Sequence, residues 1–178
     1  HDRAAAIGYA GYALRCTIVS NVVGGFPGTG GGAEVVTLTN CLIAYNSCAD
    51  NAGGARAATL VNCTIVANSG GANAGGVFGG TLINCISWDN IGPADNGFVA
   101  SYSAGEGYPL SNGNITNDPL FLNEATGNFR LKASSPCVDT GLNQSWHTGA
   151  VDLDRAPRIV NVTVDMGAYE EHTPQGTA

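Results

Sequence analysis

Three ten-residue stretches of this chain superpose without a gap at a step of 22 residues. Thr37-Leu-Thr-Asn-Cys-Leu-Ile-Ala-Tyr-Asn46 matches Thr59-Leu-Val-Asn-Cys-Thr-Ile-Val-Ala-Asn68 and Thr81-Leu-Ile-Asn-Cys-Ile-Ser-Trp-Asp-Asn90. Gly31, Gly53, Gly75 and Gly97 keep the same 22-residue step. An earlier copy, Arg15-Cys-Thr-Ile-Val-Ser-Asn21, stands 25 residues upstream, which places a three-residue insertion around Gly24–Gly32. Downstream, Asn114-Ile115 follows Asn84-Cys85 by 30 residues, and Pro136-Cys137 follows that by 22. A short fixed period marks a solenoid, whose units bury their apolar faces only by stacking.

The pattern inside each unit selects the kind of solenoid. Cys41 and Ile43 alternate at period two, Thr, Val, Ile and Cys dominate, and no apolar set recurs at helical spacing. Two helices need more than 22 Gly-rich residues, and a leucine-rich repeat needs more leucines than one per unit. The unit is therefore expected to be one triangular coil of three short strands, and the fold an all-β parallel β-helix. About seven coils are expected, making a stack roughly 30–35 Å long at the ~4.8 Å strand spacing. Residues 1–138 read as regular coils of a single domain, 139–170 as an irregular terminal coil or cap, and 171–178 as a tail. In-register stacking would place Asn40, Asn62 and Asn84 in one vertical ladder and Asn46, Asn68 and Asn90 in a second, each amide serving the next. Cys16, Cys41, Cys63 and Cys85, then Ile115 and Cys137, would form an interior column.

Composition narrows the partners. Seven Lys+Arg oppose 14 Asp+Glu for a net charge of −7, which leaves no electrostatic footprint for nucleic acid. Only 12% of residues are charged, about half the ~25% of an ordinary domain. The charge is concentrated late: residues 1–88 hold three acids and three arginines, so the remaining eleven acids and four bases lie in 89–178. No apolar run approaches the ~18 residues that a membrane span needs.

The second half carries a resemblance. Asp118-Pro-Leu-Phe121, Asn128-Phe-Arg-Leu131, Ser135-Pro-Cys-Val-Asp-Thr-Gly141, Asp152-Leu-Asp-Arg-Ala-Pro-Arg158 and Asp165-Met-Gly-Ala-Tyr-Glu170 occur in this order. The set resembles the C-terminal end of right-handed parallel β-helix proteins of the pectin-lyase-like superfamily, of the choice-of-anchor or polymorphic-outer-membrane-protein-like surface type. The Gly-Gly…Leu-x-Asn-Cys-x-Ile-x-x-Asn coils are similar to the repeats of the same proteins. Cys137 stands where that family usually has a small residue, and Ala156 where glycine is common. The resemblance implies an exported, extracellular or cell-surface protein and implies no particular reaction.

Candidate chemistry is sparse beside this. Uronate lyases need clustered carboxylates with a neighbouring base, and hydrolases need grouped carboxylates; after Glu34 the regular coils offer only Asp50, Asp89 and Asp95, in turns, with Arg56 as the nearby base. No catalytic residue and no cofactor is assigned. Asp152 and Asp154 are weak calcium candidates, set against a loop in which Asp152, Asp154, Arg155 and Arg158 pair with one another. His147 beside Trp146 reads as a surface loop. Cys48 lies off the column and reads as the most exposed thiol. Tyr9, Tyr12, Phe26, Phe78, Trp88, Phe98, Tyr102 and Tyr108 could stack on extracellular glycans, so a glycan-binding module stands beside a polysaccharide lyase or hydrolase as the alternative to a structural role. The first coil carries no cap of its own, so Ala6, Ile7, Gly8, Tyr9, Ala10, Gly11, Tyr12 and Ala13 form the expected edge for association. Its partner is either an identical chain, end to end in a filament, or the rest of a longer β-helix. The expected function is a non-catalytic extracellular structural or adhesive protein.

Overall fold

The structure is a computed structural model and describes residues 6–24 and 30–172. Phe26, most of the insertion expected around Gly24–Gly32, and residues 173–178 of the tail lie outside them. The chain winds as a parallel β-solenoid. Coil 1 holds β1 (Ile7–Gly8), β2 (Tyr12–Leu14), β3 (Thr17–Val19) and β4 (Val22–Val23). Coil 2 holds β5 (Ala33–Glu34), β6 (Thr37–Thr39), β7 (Leu42–Ala44) and β8 (Ser47–Cys48). Coil 3 holds β9 (Ala55–Val61), β10 (Thr64–Val66) and β11 (Ser69–Gly70). Coil 4 holds β12 (Val77–Ile83) and β13 (Ile86–Trp88), and Ile91 completes it by a parallel bridge to Ser69. β14 (Asn96–Ser101) and β15 (Ala104–Gly105) begin a fifth turn.

Three parallel sheets result. The first contains β1, β2, β5, β6, β9, β12 and β14; the second runs β3-β7-β10-β13-β15; the third runs β4-β8-β11. The 22-residue step is the pairing register itself, since Thr37 pairs with Thr59 and Thr59 with Thr81. Asn40, Asn62 and Asn84 turn the corner between the first two sheets at φ of 52°, 48° and 54°, the left-handed region that asparagine tolerates better than most residues. Leu38, Leu60 and Leu82 point inward with Ile18, Ile43, Ile65 and the thiols of Cys41, Cys63 and Cys85, forming the interior core.

The coil count is a correction: the solenoid has about four turns, not seven, because regular winding stops at Gly105. Tyr108 then folds under the stack and fills the end of the core, with 4% of its surface exposed. Its ring lies 4.6 Å, centroid to centroid, from Phe98, and its hydroxyl donates to Asp95 Oδ2 at 3.1 Å. A Cβ on Gly105 would fall 2.4 Å from the tyrosine ring, so a side chain there would displace this plug.

The expected terminal cap is also corrected. Residues 116–172 do not close the end of the stack; they turn back along its side. The antiparallel hairpin β16 (Phe121–Asn123) and β17 (Asn128–Leu131) lays Phe121, Phe129 and Leu131, with Cys137, Met166 and Ala168, against Leu42, Ala44, Val66, Ile86 and Ala104. Those five residues are the outer face of the second sheet. Cys137 therefore packs outside the helix rather than in the interior column, and Ile115, bridged to Ala104, also belongs to this outer cluster. Coil 1 escapes the cover: Thr17 and Val19, its outward residues in the same sheet, are exposed.

Truncating the plug separates its two contributions. Tyr108→Ala is expected to cost about 3–5 kcal/mol by opening the core, and Tyr108→Phe only about 1 kcal/mol by loss of the bond to Asp95. Urea unfolding of the two variants measures the difference.

Candidate functional site

The repeated polar side chains serve the stack. Asn21 Nδ2 donates to Asn46 Oδ1 at 2.8 Å, Asn46 Nδ2 to Asn68 Oδ1 at 3.0 Å, and Asn68 Nδ2 to Asn90 Oδ1 at 3.0 Å. The main-chain N–H of each donor residue reaches the same oxygen, at 2.9–3.0 Å. The second amide hydrogen goes to a main-chain carbonyl of the preceding coil: Asn46 to Ile18, Asn68 to Ile43 and Asn90 to Ile65. Room for this ladder comes from glycine. A Cβ on Gly54 would lie 3.1 Å from Asn68 Nδ2, and one on Gly76 would lie 2.5 Å from Asn90 Nδ2.

Asn40, Asn62 and Asn84 are also buried, but they do not make a continuous ladder. They face outward, beneath the returning chain. Asn84 accepts from Leu142 N at 2.7 Å and donates to Leu142 O and to Asn62 Oδ1. Asn62 Nδ2 lies 3.1 Å from His147 Nε2, and Asn40 donates to Val151 O at 2.9 Å. The chain stops at Asn40, whose Oδ1 is buried without a partner. His147, expected in a surface loop, is 1% exposed, because the corner asparagines draw its loop onto the solenoid.

The thiols of Cys41, Cys63 and Cys85 are fully buried, and burial pushes that of Cys63 well above its ordinary value. Cys48 corrects the expectation of an exposed thiol: it is 2% exposed, because it is the inward residue of β8. None of the six cysteines is in a disulfide.

The late acidic residues divide among separate partners. Asp154 is held by Arg130 through both oxygens. Asp152 accepts from Ala156 N and Glu170 N, each at 2.9 Å. Arg158, with no exposed surface, donates to the carbonyls of Asp165 and Gly167 and lies 3.7 Å from Glu170. The mutual pairing expected of Asp152, Asp154, Arg155 and Arg158 is thus replaced by pairs that tie the loop to β17 and to the segment around Glu170. Among the described residues, no three His, Cys, Asp or Glu side chains converge as metal ligands would.

Asp95 lies against the end of the inner ladder. Asn90 donates to Ser87 Oγ, which donates to Asp95 Oδ2, while Gly76 N and Val77 N donate to Asp95 Oδ1. Burial raises this carboxyl above its ordinary value, against the pull of those donors. Glu106 is raised by burial and by the charges of Asp89 and Asp95. The cavity between Asp95 and Glu106 is about 40 Å³. That holds a water but no sugar ring.

A larger groove of about 350 Å³ lies where the returning chain meets coils 1 and 2, lined by Tyr12, Leu14, Arg15, Asn40, Trp146 and Val151. Tyr12 is 64% and Trp146 41% exposed. Trp146 escaped the aromatic set drawn from the sequence because its neighbours give no periodic signal. Of the other aromatics, Phe98 and Tyr108 are in or against the core. At the N-terminal edge, Ile7 and Ala13 pack partly buried against the core, while Ala6, Gly8, Tyr9, Ala10, Gly11 and Tyr12 are exposed.

Comparison with protein-family models, with curated proteins and with solved structures finds no match to this chain. No helix among the described residues is long and apolar enough to cross a membrane.

Two measurements test this chemistry. Asn68→Asp keeps an acceptor for Asn46 but turns a second oxygen toward Asn90 Oδ1 and the carbonyls of Ile43 and Val66. Its penalty at pH 7 is expected to exceed the roughly 1–3 kcal/mol of an unmet buried group and to shrink on acidification as the introduced carboxylate is protonated. Glu170 is lifted by burial, and then by Asp165, from 4.5 to about 8. A group whose folded value is raised contributes fully below its unfolded value and loses that contribution as pH rises through the folded one. Stability should therefore decline between pH 6 and 8, and Glu170→Gln should flatten this decline in urea midpoints. His147 has the opposite sense: lowered by burial and by Arg158 from 6.5 to about 4, it contributes fully above 6.5 and loses that contribution as pH falls toward 4.

Proposed function

We propose that this chain is a non-catalytic structural or adhesive β-helix, an extracellular or cell-surface rod of the pectin-lyase-like kind. The observation that carries the reading is the inner ladder, in which the donors and acceptor of Asn46 and of Asn68 are engaged by stacking. The repeat thus conserves stiffness from coil to coil and spends its polar groups on it. Asp95 likewise serves the closure of the end, bonded to two main-chain amides, a serine and a tyrosine. The extracellular placement rests on the resemblance of the motifs from Asp118 to Glu170.

Incubation of the purified chain with pectin or alginate is expected to release no oligosaccharide. Release that is lost in Asp89→Asn or Asp95→Asn would overturn the reading.

The groove beside Trp146 favours a second reading, a glycan-binding module, because two exposed aromatic rings, Tyr12 and Trp146, line it with Arg15. Trp88→Phe leaves Trp146 as the sole indole. A saturable change in its fluorescence with xylan or galacturonan oligosaccharides, lost in Tyr12→Ala, would support that module; an unchanged spectrum would remove it.

A further inference from the structure

The stack is directional, and its two ends differ. In the inner ladder each asparagine-to-asparagine bond has one sense, the amide of the N-terminal coil donating to the oxygen of the C-terminal one, from Asn21 to Asn46, Asn46 to Asn68 and Asn68 to Asn90. The thiol column has the same sense: Cys16 N donates to Cys41 Sγ at 3.4 Å, and Cys85 N donates to Ser103 Oγ at 3.0 Å. At the C-terminal end these series are answered. Asn90 is met by Ser87, Ser103 N by Asn114 Oδ1 and Tyr102 N by Asn112 O, and Tyr108 fills the core.

The N-terminal end shows the opposite. Among the described residues nothing donates to Asn21 Oδ1 or Cys16 Sγ, the two acceptors that the next coil up would use. Among the described residues β1, β2, β3 and β4 each pair on one side only, and at the far end β14 does the same, so the ends differ in their side-chain acceptors and in the core plug. In coil 2 the amides of Thr37, Leu42 and Ser47 reach up to the carbonyls of Gly11, Cys16 and Asn21. Their counterparts in coil 1, Tyr12, Thr17 and Val22, point the same way, out of the stack.

We propose that this edge docks the open C-terminal edge of another parallel β-helix coil, one that presents an asparagine amide to Asn21 and a main-chain N–H to Cys16 Sγ. The inference rests on the structural reading above and names its partner. A second copy of this chain does not fit. At its far end β14 leaves an edge unpaired, but Tyr108 fills the core there and the amide of Asn90 is already taken by Ser87 and Ile65 O. Its near end would set acceptor against acceptor at Asn21, which buries two unmet oxygens. The partner is thus a coil of the same class in an uncapped solenoid, and this domain terminates such a stack rather than propagating it. The end-to-end filament expected from the sequence is set aside for the same reason.

Duplicating residues 33–54 between Ala6 and Ile7 supplies such a coil. Ile7 pairs with Ala33 and Ala33 with Ala55, so the new junction reproduces the join of Gly54 to Ala55, and the copied Asn46 falls above Asn21. In the extended chain, hydrogen exchange at the amides of Tyr12, Thr17 and Val22 is expected to slow by about 100-fold, and the thermal midpoint is expected to rise. Changing the copied Asn46 to Leu should abolish most of both gains. Exchange that stays fast would overturn the docking edge, and equal protection with leucine would overturn the asparagine as the selecting group. The unextended chain should sediment as a monomer, and end-to-end oligomers that grow with concentration would overturn the closed far end. Release of oligosaccharide from pectin would defeat the structural reading and leave these outcomes unchanged.

Discussion

The side-chain amide of the inner asparagines is the interaction on which the rest of the solenoid depends. A primary amide inside a core costs free energy unless its two hydrogens and its oxygen are all met. In Asn46 and Asn68 they are met only when the neighbouring coils stand in one register. A slip by one residue would also turn Ile43 and Ile65 out of the core. The amide therefore fixes register, and register fixes much else. It demands glycine at Gly54 and Gly76, where a Cβ would strike the amide or its neighbours. It sets the tight corners occupied by Tyr45, Ala67 and Asp89 at positive φ.

What was legible in the sequence was whatever repeats. The alignment of Thr37, Thr59 and Thr81 is the strand pairing read directly, and the fold class follows from it. The asparagine and cysteine positions fall in register because a period of 22 is one turn of backbone. The failures share a cause too. Downstream of Gly105, isolated residues such as Ile115 and Cys137 happened to continue the spacing, and spacing without a surrounding motif does not hold a coil. One local signal did point to the lateral cover. β7 reads Leu-Ile-Ala, with no polar residue at either outward position, whereas β10 keeps Thr64 there and shares Thr-Ile-Val with the uncovered β3. Strands buried on both faces lose the polar half of their alternation.

The candidate chemistry was harder to read because burial, not residue type, decides it. Arg158 and His147 sit in a segment whose charges look like a solvated loop. Both are removed from water by the returning chain, which meets the guanidinium with the carbonyls of Asp165 and Gly167. Nothing in the local sequence distinguishes Arg158 from Arg155, which the same loop leaves exposed. Arg155 N closes a local turn on Asp152 O, whereas Arg158 N pairs with Ala150 O and its guanidinium reaches the carbonyls of Asp165 and Gly167.

The returning chain changes how the molecule comes apart and together. A bare solenoid is held by neighbour-to-neighbour contacts, so it can fray coil by coil from either end. Here Asn40 is bonded to Val151, Asn62 to His147 and Thr64 to Ala168, at sequence separations of 111, 85 and 104 residues. Those ties span coils 2 and 3 and join them to the last part of the chain. Coils wound early must therefore wait for residues far downstream before their outer face is dry, and contacts of such range form slowly. Once formed, they make coils 2 to 4 a single cooperative body, while coil 1, which the returning chain borders only at the groove beside Trp146, is the described turn most ready to open locally.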